Sequence, residues 1–183
     1  MVETKIPRWL AALDENKPYI EVLDGERVPD VSPKKAHGLL AVAIGASMRP
    51  WARGRGGVGA EIRYYFLRPD GRWSSLLPDV SFMSYARHPL EGDDPQRPRV
   101  APDIAVEIVS PGDRPSTIQR KVTTYLEYGS TVVLVLYAEP RRVAIHRAGG
   151  SVEERDARGT WLLEPYDLAL DWEDIFYEID LNR

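Results

Sequence analysis

The chain has 183 residues, 43% of them hydrophobic and 28% charged, the size and balance of one compact domain rather than of a disordered or fibrous chain. It contains no cysteine, which excludes a disulfide framework, a thiolate zinc site and a cysteine nucleophile. The net charge of −4 argues against a wholly basic nucleic-acid binder, yet residues 151–183 carry ten acidic and three basic groups, leaving +3 on the rest, so an acidic tail can lie away from a face that meets an anion.

The first 17 residues, MVETKIPRWLAALDENK, place acidic groups within their one apolar stretch and lack a small-residue cleavage site. They are read as an N-terminal extension to a single domain over 18–183. Nowhere do about 18 apolar residues run together, so the expectation is a cytoplasmic chain with no export signal or membrane span. PYIEVLDGERVPD alternates around Asp24-Gly25 as a hairpin. Ser32-Pro33 then opens a helix with His37, Leu39, Leu40, Val42, Ala43, Ala46 and Met48 as its buried stripe, stopped by Pro50. ARGRGGVG has no core pattern and reads as a loop.

Two strands follow, GAEIRYYFL and WSSLLPDVSFMS, the second carrying Pro78 as an edge, bulge or start. After a polar, proline-punctuated loop, HPLEGDDPQRPR, comes PDIAVEIVSP, a short apolar strand of the kind buried on both faces. Arg114 to Tyr128 is helical, with Ile118, Val122, Tyr125 and Leu126 on one stripe and Gly129 past its end. TVVLVLYAE is a central strand, RRVAIHRAGG and SVEERDARGTW extend the sheet by hairpins, and YDLALDWEDIF ends in a helical turn starting near Asp171. The order predicts an α+β or mixed α/β domain: one mixed sheet flanked by helices.

Glu107 carries the most chemical information. In IAVEIV, Ile104, Val106 and Ile108 share one face, while Asp103, Ala105, Glu107 and Val109 share the other. A carboxylate inside such a strand must be paired, hydrogen-bonded, protonated or metal-bound; a buried salt bridge and a functional role both answer that demand. Asp79, at the start of VSFM, is a second such carboxylate. Two acids side by side in one sheet repel unless a cation lies between them, and magnesium suits one or two carboxylates plus waters. A turn aspartate bonded to local backbone is the other reading of Asp79.

Asp103 shares the face of Glu107 about 13 Å along an ideal strand, too far to ligate the same ion, and ranks second with Glu61, a third carboxylate in GAEIRYYF. Lys121 flanks the buried stripe of its helix and can lean an ammonium over the sheet end, or it is a solvated helix lysine. His37, His88 and His146 lack ligand spacing. Ser110 has no Gly-x-Ser-x-Gly setting and no evident base, and the glycine run is not a P-loop.

Taken together, PYIEVLDGERV with VSPKKAHGLL, LLPDVSFMS, PDIAVEIVSPGDRPSTIQRKVTTYLEYG, VVLVLYAEPRRVAIHR and LALDWEDIF make the chain resemble the Uma-two family of restriction-endonuclease-like proteins, within the PD-(D/E)XK nuclease superfamily, over residues 18 to 176. The resemblance implies a restriction-endonuclease-like fold with its site at one end of the sheet and magnesium-dependent hydrolysis of DNA phosphodiesters, manganese serving as a substitute. Asp79 is similar to the aspartate of the PD element and Glu107 to the first acidic position of (D/E)XK. Val109 stands where the motif lysine belongs, and Lys121 is the natural relocated lysine. Arg53, Arg55, Arg63 and Arg72 are then candidates for phosphate-backbone contacts. A homodimer is expected, because cutting both strands takes two sites. A non-catalytic nucleic-acid or protein-binding module on the same fold is the competing reading.

Overall fold

The computed structural model describes residues 5–15, 20–28, 35–88 and 98–181. Strands β1 (Glu21–Leu23) and β2 (Glu26–Val28) form the first hairpin. Asp24 and Gly25 both have positive φ, 53° and 83°, the pairing that a two-residue turn matched to strand twist requires. After the helix α2 (Lys35–Ala52) come β3 (Gly56–Gly59), β4 (Tyr64–Leu67), β5 (Trp73–Leu76) and β6 (Val80–Ser84). β1, β2, β4 and β5 make a four-stranded antiparallel sheet in the order β2-β1-β5-β4. The short helix α1 (Arg8–Ala11) buries Leu10 against Val22, Tyr65 and Trp73 of this sheet. The segment set apart as an extension therefore supplies core.

The central sheet has six strands, β10-β9-β8-β7-β6-β3. Its middle pair, β7 (Ile104–Val109) and β8 (Val132–Tyr137), is parallel and joined by helix α3 (Pro115–Glu127); β9 (Arg142–Arg147) and β10 (Val152–Asp156) add antiparallel strands. The near-continuous apolar runs of β7 and β8 follow from cover on both faces. On one face, Leu40, Ile44 and Met48 of α2 meet Val80, Phe82, Ile104, Val106 and Leu134. On the other, Val122 and Tyr125 of α3, with Tyr64 and Phe66 of the four-stranded sheet, meet Ala105, Val133 and Val135. Each large apolar side chain so buried contributes roughly 1.5–3 kcal/mol. The mixed sheet flanked by helices is as expected. No helix among the described residues is long and apolar enough to cross a membrane.

Several local expectations are corrected. Pro50 does not stop α2; it lies in the last turn, where the helix continues to Ala52. The buried stripe follows four-residue steps through Leu40, Ile44, Met48 and Ala52, leaving Val42 74% exposed. ARGRGGVG is not only loop: Gly56–Gly59 is an edge strand paired with β6. A Cβ on Gly56 would stand 2.1 Å from the Met83 carbonyl oxygen, so glycine permits the close approach. WSSLLPDVSFMS is two strands in two sheets, and the chain crosses between them at residues 77–79. The strands β11 (Thr160–Leu163) and β12 (Leu168–Asp171) form a separate two-stranded ribbon, so the strands of the described residues fall into three sheets rather than one. Asp171 then caps α4 (Trp172–Ile175), accepting from the Glu173 and Asp174 N–H groups, and α5 (Tyr177–Asp180) follows. The Ser32-Pro33 helix start and residues 89–97 of the polar loop lie outside the described residues.

Candidate active site

The crossing at residues 77–79 and the parity of β7 bring the acids together. β6 pairs Val80 with Val106, so one further step of this register sets Asp79 beside Glu107. The Asp79 Oδ2 accepts from the Ile108 N–H at 2.6 Å. Glu107 points to the face that α3 covers, and Lys121 and Tyr125, one turn apart on that helix, both reach it. Lys121 Nζ lies 2.5 Å from Glu107 Oε2, and the Tyr125 hydroxyl donates to Oε1 at 2.8 Å. A third carboxylate arrives from β1: Glu21 Oε2 is 3.0 Å from Lys121 Nζ, while its Oε1 accepts from the Leu77 N–H at 2.8 Å.

Asp79, Glu107, Lys121 and Glu21 line one cavity of about 410 Å³, with Tyr125 behind Glu107. Glu107 is 3% exposed and Lys121 7%, so neither charge is screened by bulk water. Burial pushes the Glu107 carboxyl up to about 8, with the charges of Asp79 and Glu21 adding to the shift and Lys121 opposing it. The lysine moves the other way from a lone buried amine. Burial alone would lower its pKa, but Glu107, Glu21 and Asp79 together hold it above its ordinary value. Lys121 is thus a fixed ammonium among more carboxylate than it can neutralise. Burial and the neighbouring Glu107 keep the Tyr125 phenol protonated and donating.

His37 enters from α2. Its Nε2 lies 2.9 Å from Asp79 Oδ1 and its Nδ1 3.3 Å from Ser110 Oγ. Ser110, read as lacking a base, therefore has an imidazole beside it. Glu21 and His37 line the cavity without standing out in the sequence: Glu21 looks like an ordinary polar position of a hairpin strand, and His37 like part of a buried helix stripe.

The structure brings Asp79, Glu107 and Lys121 to this cavity and leaves other candidates outside it. Asp103, buried towards the opposite end of β7, accepts from the Ser84 N–H at 2.7 Å and pairs with Arg87 at 3.3 Å. Glu61 is exposed in a turn with φ 51°. Arg63 is 6% exposed and donates to the Ile20 carbonyl and Ser75 Oγ; packed inside the fold, it cannot meet a phosphate backbone. Arg72 is tied to Asp70 at 2.6 Å, and Arg53 and Arg55 are exposed in the turn after α2, Arg55 lying over the Trp51 ring. Among the described residues, the guanidinium groups that do line the cavity are those of Arg27, Arg114 and Arg120. Arg120 is committed to Asp24 at 3.1 Å.

Comparison with known proteins bears on the family and the fold. The sequence model of the family described as "Uma2: Putative restriction endonuclease" matches residues 6–181, which bears out the resemblance read from the motifs and extends it at both ends. Among solved structures, a crystal structure described as "a putative nuclease belonging to DUF820", from Anabaena variabilis ATCC 29413, superposes with a TM-score of 0.77 at 21% identity, covering 90% of this chain and 97% of that one. At that identity the likeness is one of fold. No curated protein matches significantly. Matched over almost its whole length, the chain belongs to the Uma2 restriction-endonuclease family.

Proposed function

We propose that this chain is a magnesium-dependent endonuclease that hydrolyses phosphodiester bonds of DNA at the cavity of Asp79, Glu107 and Lys121. The observation that carries this reading is the position of Lys121: although Val109 occupies the motif position, an ammonium from the next helix stands against Glu107 at 2.5 Å. Family membership supplies the nuclease class.

The donor set suits a hard divalent cation. Asp79 and Glu107 present carboxylate oxygens to one cavity, and among the described residues neither is paired with a guanidinium group. A carboxylate has about four lone-pair sites, so the single bonds at each oxygen leave capacity for a further contact. Among the described residues no three His, Cys, Asp or Glu side chains are clustered to hold an ion by themselves; two carboxylates, completed by water and substrate oxygens, is the mode magnesium commonly takes. Bound by Asp79 and Glu107, magnesium or manganese would polarise a phosphoryl oxygen and favour deprotonation of water.

The chain's own residues do the rest. Lys121, kept protonated, stabilises negative charge on the phosphate and cannot serve as a base. Tyr125 and Glu21 hold Glu107 and Lys121 in place, so little reorganisation accompanies the reaction. Arg27 and Arg114 line the cavity and form no ion pair with the described residues, which leaves both available to flanking phosphates. Cutting both strands takes two such sites, and the outer edges of β3 and β10 offer surfaces on which a homodimer could pair.

The competing reading, a binding module without catalysis, is favoured by one observation: Lys121 and Tyr125 occupy one lone pair on each oxygen of Glu107. Nicking of supercoiled plasmid with added magnesium or manganese separates the two. Activity in the wild type that is lost in Lys121→Ala and Glu107→Gln supports the enzyme. DNA binding without metal-dependent nicking supports the module.

A further inference from the structure

His37 stands in the first turn of α2, before the apolar stripe that begins at Leu40. Its side chain is 18% exposed and lines the cavity. Its Nε2 is 2.9 Å from Asp79 Oδ1, and its Nδ1 is 3.3 Å from Ser110 Oγ. We propose that His37 is a positioning residue: with Ser110 behind it, the imidazole locks the plane of the Asp79 carboxylate so that its remaining lone pairs face the cavity. The proposal rests on the reading of Asp79 as a metal-holding group.

The direction of each bond follows from the partners. An ionised carboxylate only accepts, so Nε2 carries a proton and donates to Asp79. In the neutral ring Nδ1 is then the acceptor, and the Ser110 hydroxyl donates to it. Ser110 is itself held, since its N–H donates to Asp113 Oδ2 at 2.7 Å and its carbonyl accepts from the Asp113 N–H at 2.9 Å. The chain of bonds therefore begins on a fixed loop and ends on Asp79.

The second bond to Asp79 matters because the first leaves a freedom. The Ile108 N–H holds Oδ2 alone, and a carboxylate held at one oxygen can still turn about its Cβ–Cγ bond. Engagement of Oδ1 by His37 removes that rotation. Ile108 and Ser110 both belong to the end of the segment that carries Glu107, so Asp79 is indexed to its neighbouring acid from two sides. A carboxylate preset in this way binds a cation without first being ordered.

The test is Mn²⁺ binding, by calorimetry and by electron paramagnetic resonance, on the full chain without DNA. Wild type, His37→Ala, His37→Gln and Ser110→Ala are compared, with metal-free thermal melts of each. Loss of an outer hydrogen-bond partner weakens metal affinity by about 10–100-fold, and that is the expected loss for His37→Ala. His37→Gln, whose amide N–H can replace Nε2–H, is expected to recover to within about threefold of wild type by the same argument, although it cannot reproduce the bond to Ser110. Ser110→Ala removes one oxygen and leaves His37 in place, so it tests the relay even if His37→Ala does not fold; an affinity about 3–10-fold below wild type with an unchanged melt is expected.

A His37→Ala protein that folds and binds Mn²⁺ as wild type does overturns the proposal. So does a Gln variant as weak as Ala, or a Ser110→Ala protein with wild-type affinity. Wild type that binds no Mn²⁺ overturns both this inference and the metal-dependent reading on which it rests, whereas binding that is equal in all four proteins overturns the inference alone.

Discussion

Lys121 reaches Glu107 from the helix that follows its strand, with Nζ 2.5 Å from Oε2 in a setting where both side chains are almost fully buried. Such a pair is costly to break from one side, because the remaining charge is stranded in low dielectric. Lys121→Met is expected to lower stability by about 3–5 kcal/mol near pH 8, measured by urea unfolding without metal. The loss is expected to shrink as the pH falls. A carboxyl raised above its ordinary 4.5 is protonated first in the folded chain, so the penalty of its charge is present at high pH and relieved at low pH. Adding Glu107→Gln to Lys121→Met should recover most of the stability at pH 8; no recovery would mean that the stranded charge is not the cause.

Tyr125→Phe removes the donor to Glu107 Oε1 with almost no change in shape. A buried acceptor left without its partner costs about 1–3 kcal/mol, and the melting midpoint should fall accordingly. Because the hydroxyl holds the carboxylate and does not touch substrate, plasmid nicking should be slowed but retained. Complete loss of nicking in a folded Tyr125→Phe protein would require a more direct role.

For the arginines the prediction concerns salt. A contact that neutralises one phosphate contributes about 0.9 to the slope of log affinity against log salt concentration on duplex DNA. Arg27→Ala and Arg114→Ala are each expected to reduce that slope by about this amount, measured by fluorescence anisotropy without divalent metal. Arg53→Ala and Arg55→Ala, outside the cavity, should leave it unchanged. The reverse pattern would move the DNA path to the end of α2.

Burial holds the His146 imidazole below its ordinary 6.5. As the pH falls, the unfolded chain takes up this proton before the folded one, so the stability present above pH 6.5 is lost below it. Wild-type melting midpoints between pH 7.5 and about 5.5 should therefore fall more steeply than those of His146→Gln, which has no such proton to bind. Parallel curves would show that this ring titrates alike in both states.

What the sequence made legible was local. Glu107 lay on the inward face of β7 because alternation along a strand needs no knowledge of its neighbours, and Lys121 fell beside the buried stripe of α3 for the analogous helical reason. What converged on them was not legible. Glu21 reaches Lys121 only because β1 belongs to a second sheet, and the chain passes between the sheets at Pro78, which sequence could mark as an interruption but not as a crossing. His37 was absorbed into a stripe whose true members begin at Leu40. Arg63 looked like its exposed neighbours, since nothing in a single sequence says which guanidinium will be buried against Ser75 and the Ile20 carbonyl. The strand at Gly56–Gly59 was hidden because it is defined by an absence of side chains, which is what its approach to Met83 requires.

The most direct measurement is metal-dependent nicking of supercoiled plasmid by wild type, Asp79→Asn, Glu107→Gln and Lys121→Ala, each shown by its melt to be folded. The expected result is nicking by wild type with magnesium or manganese, abolished by a chelator and reduced at least about a hundredfold in each variant, as removal of a preorganised charge-stabilising group does. Folded variants that nick as fast as wild type, or nicking that survives the chelator, would contradict catalysis at this cavity.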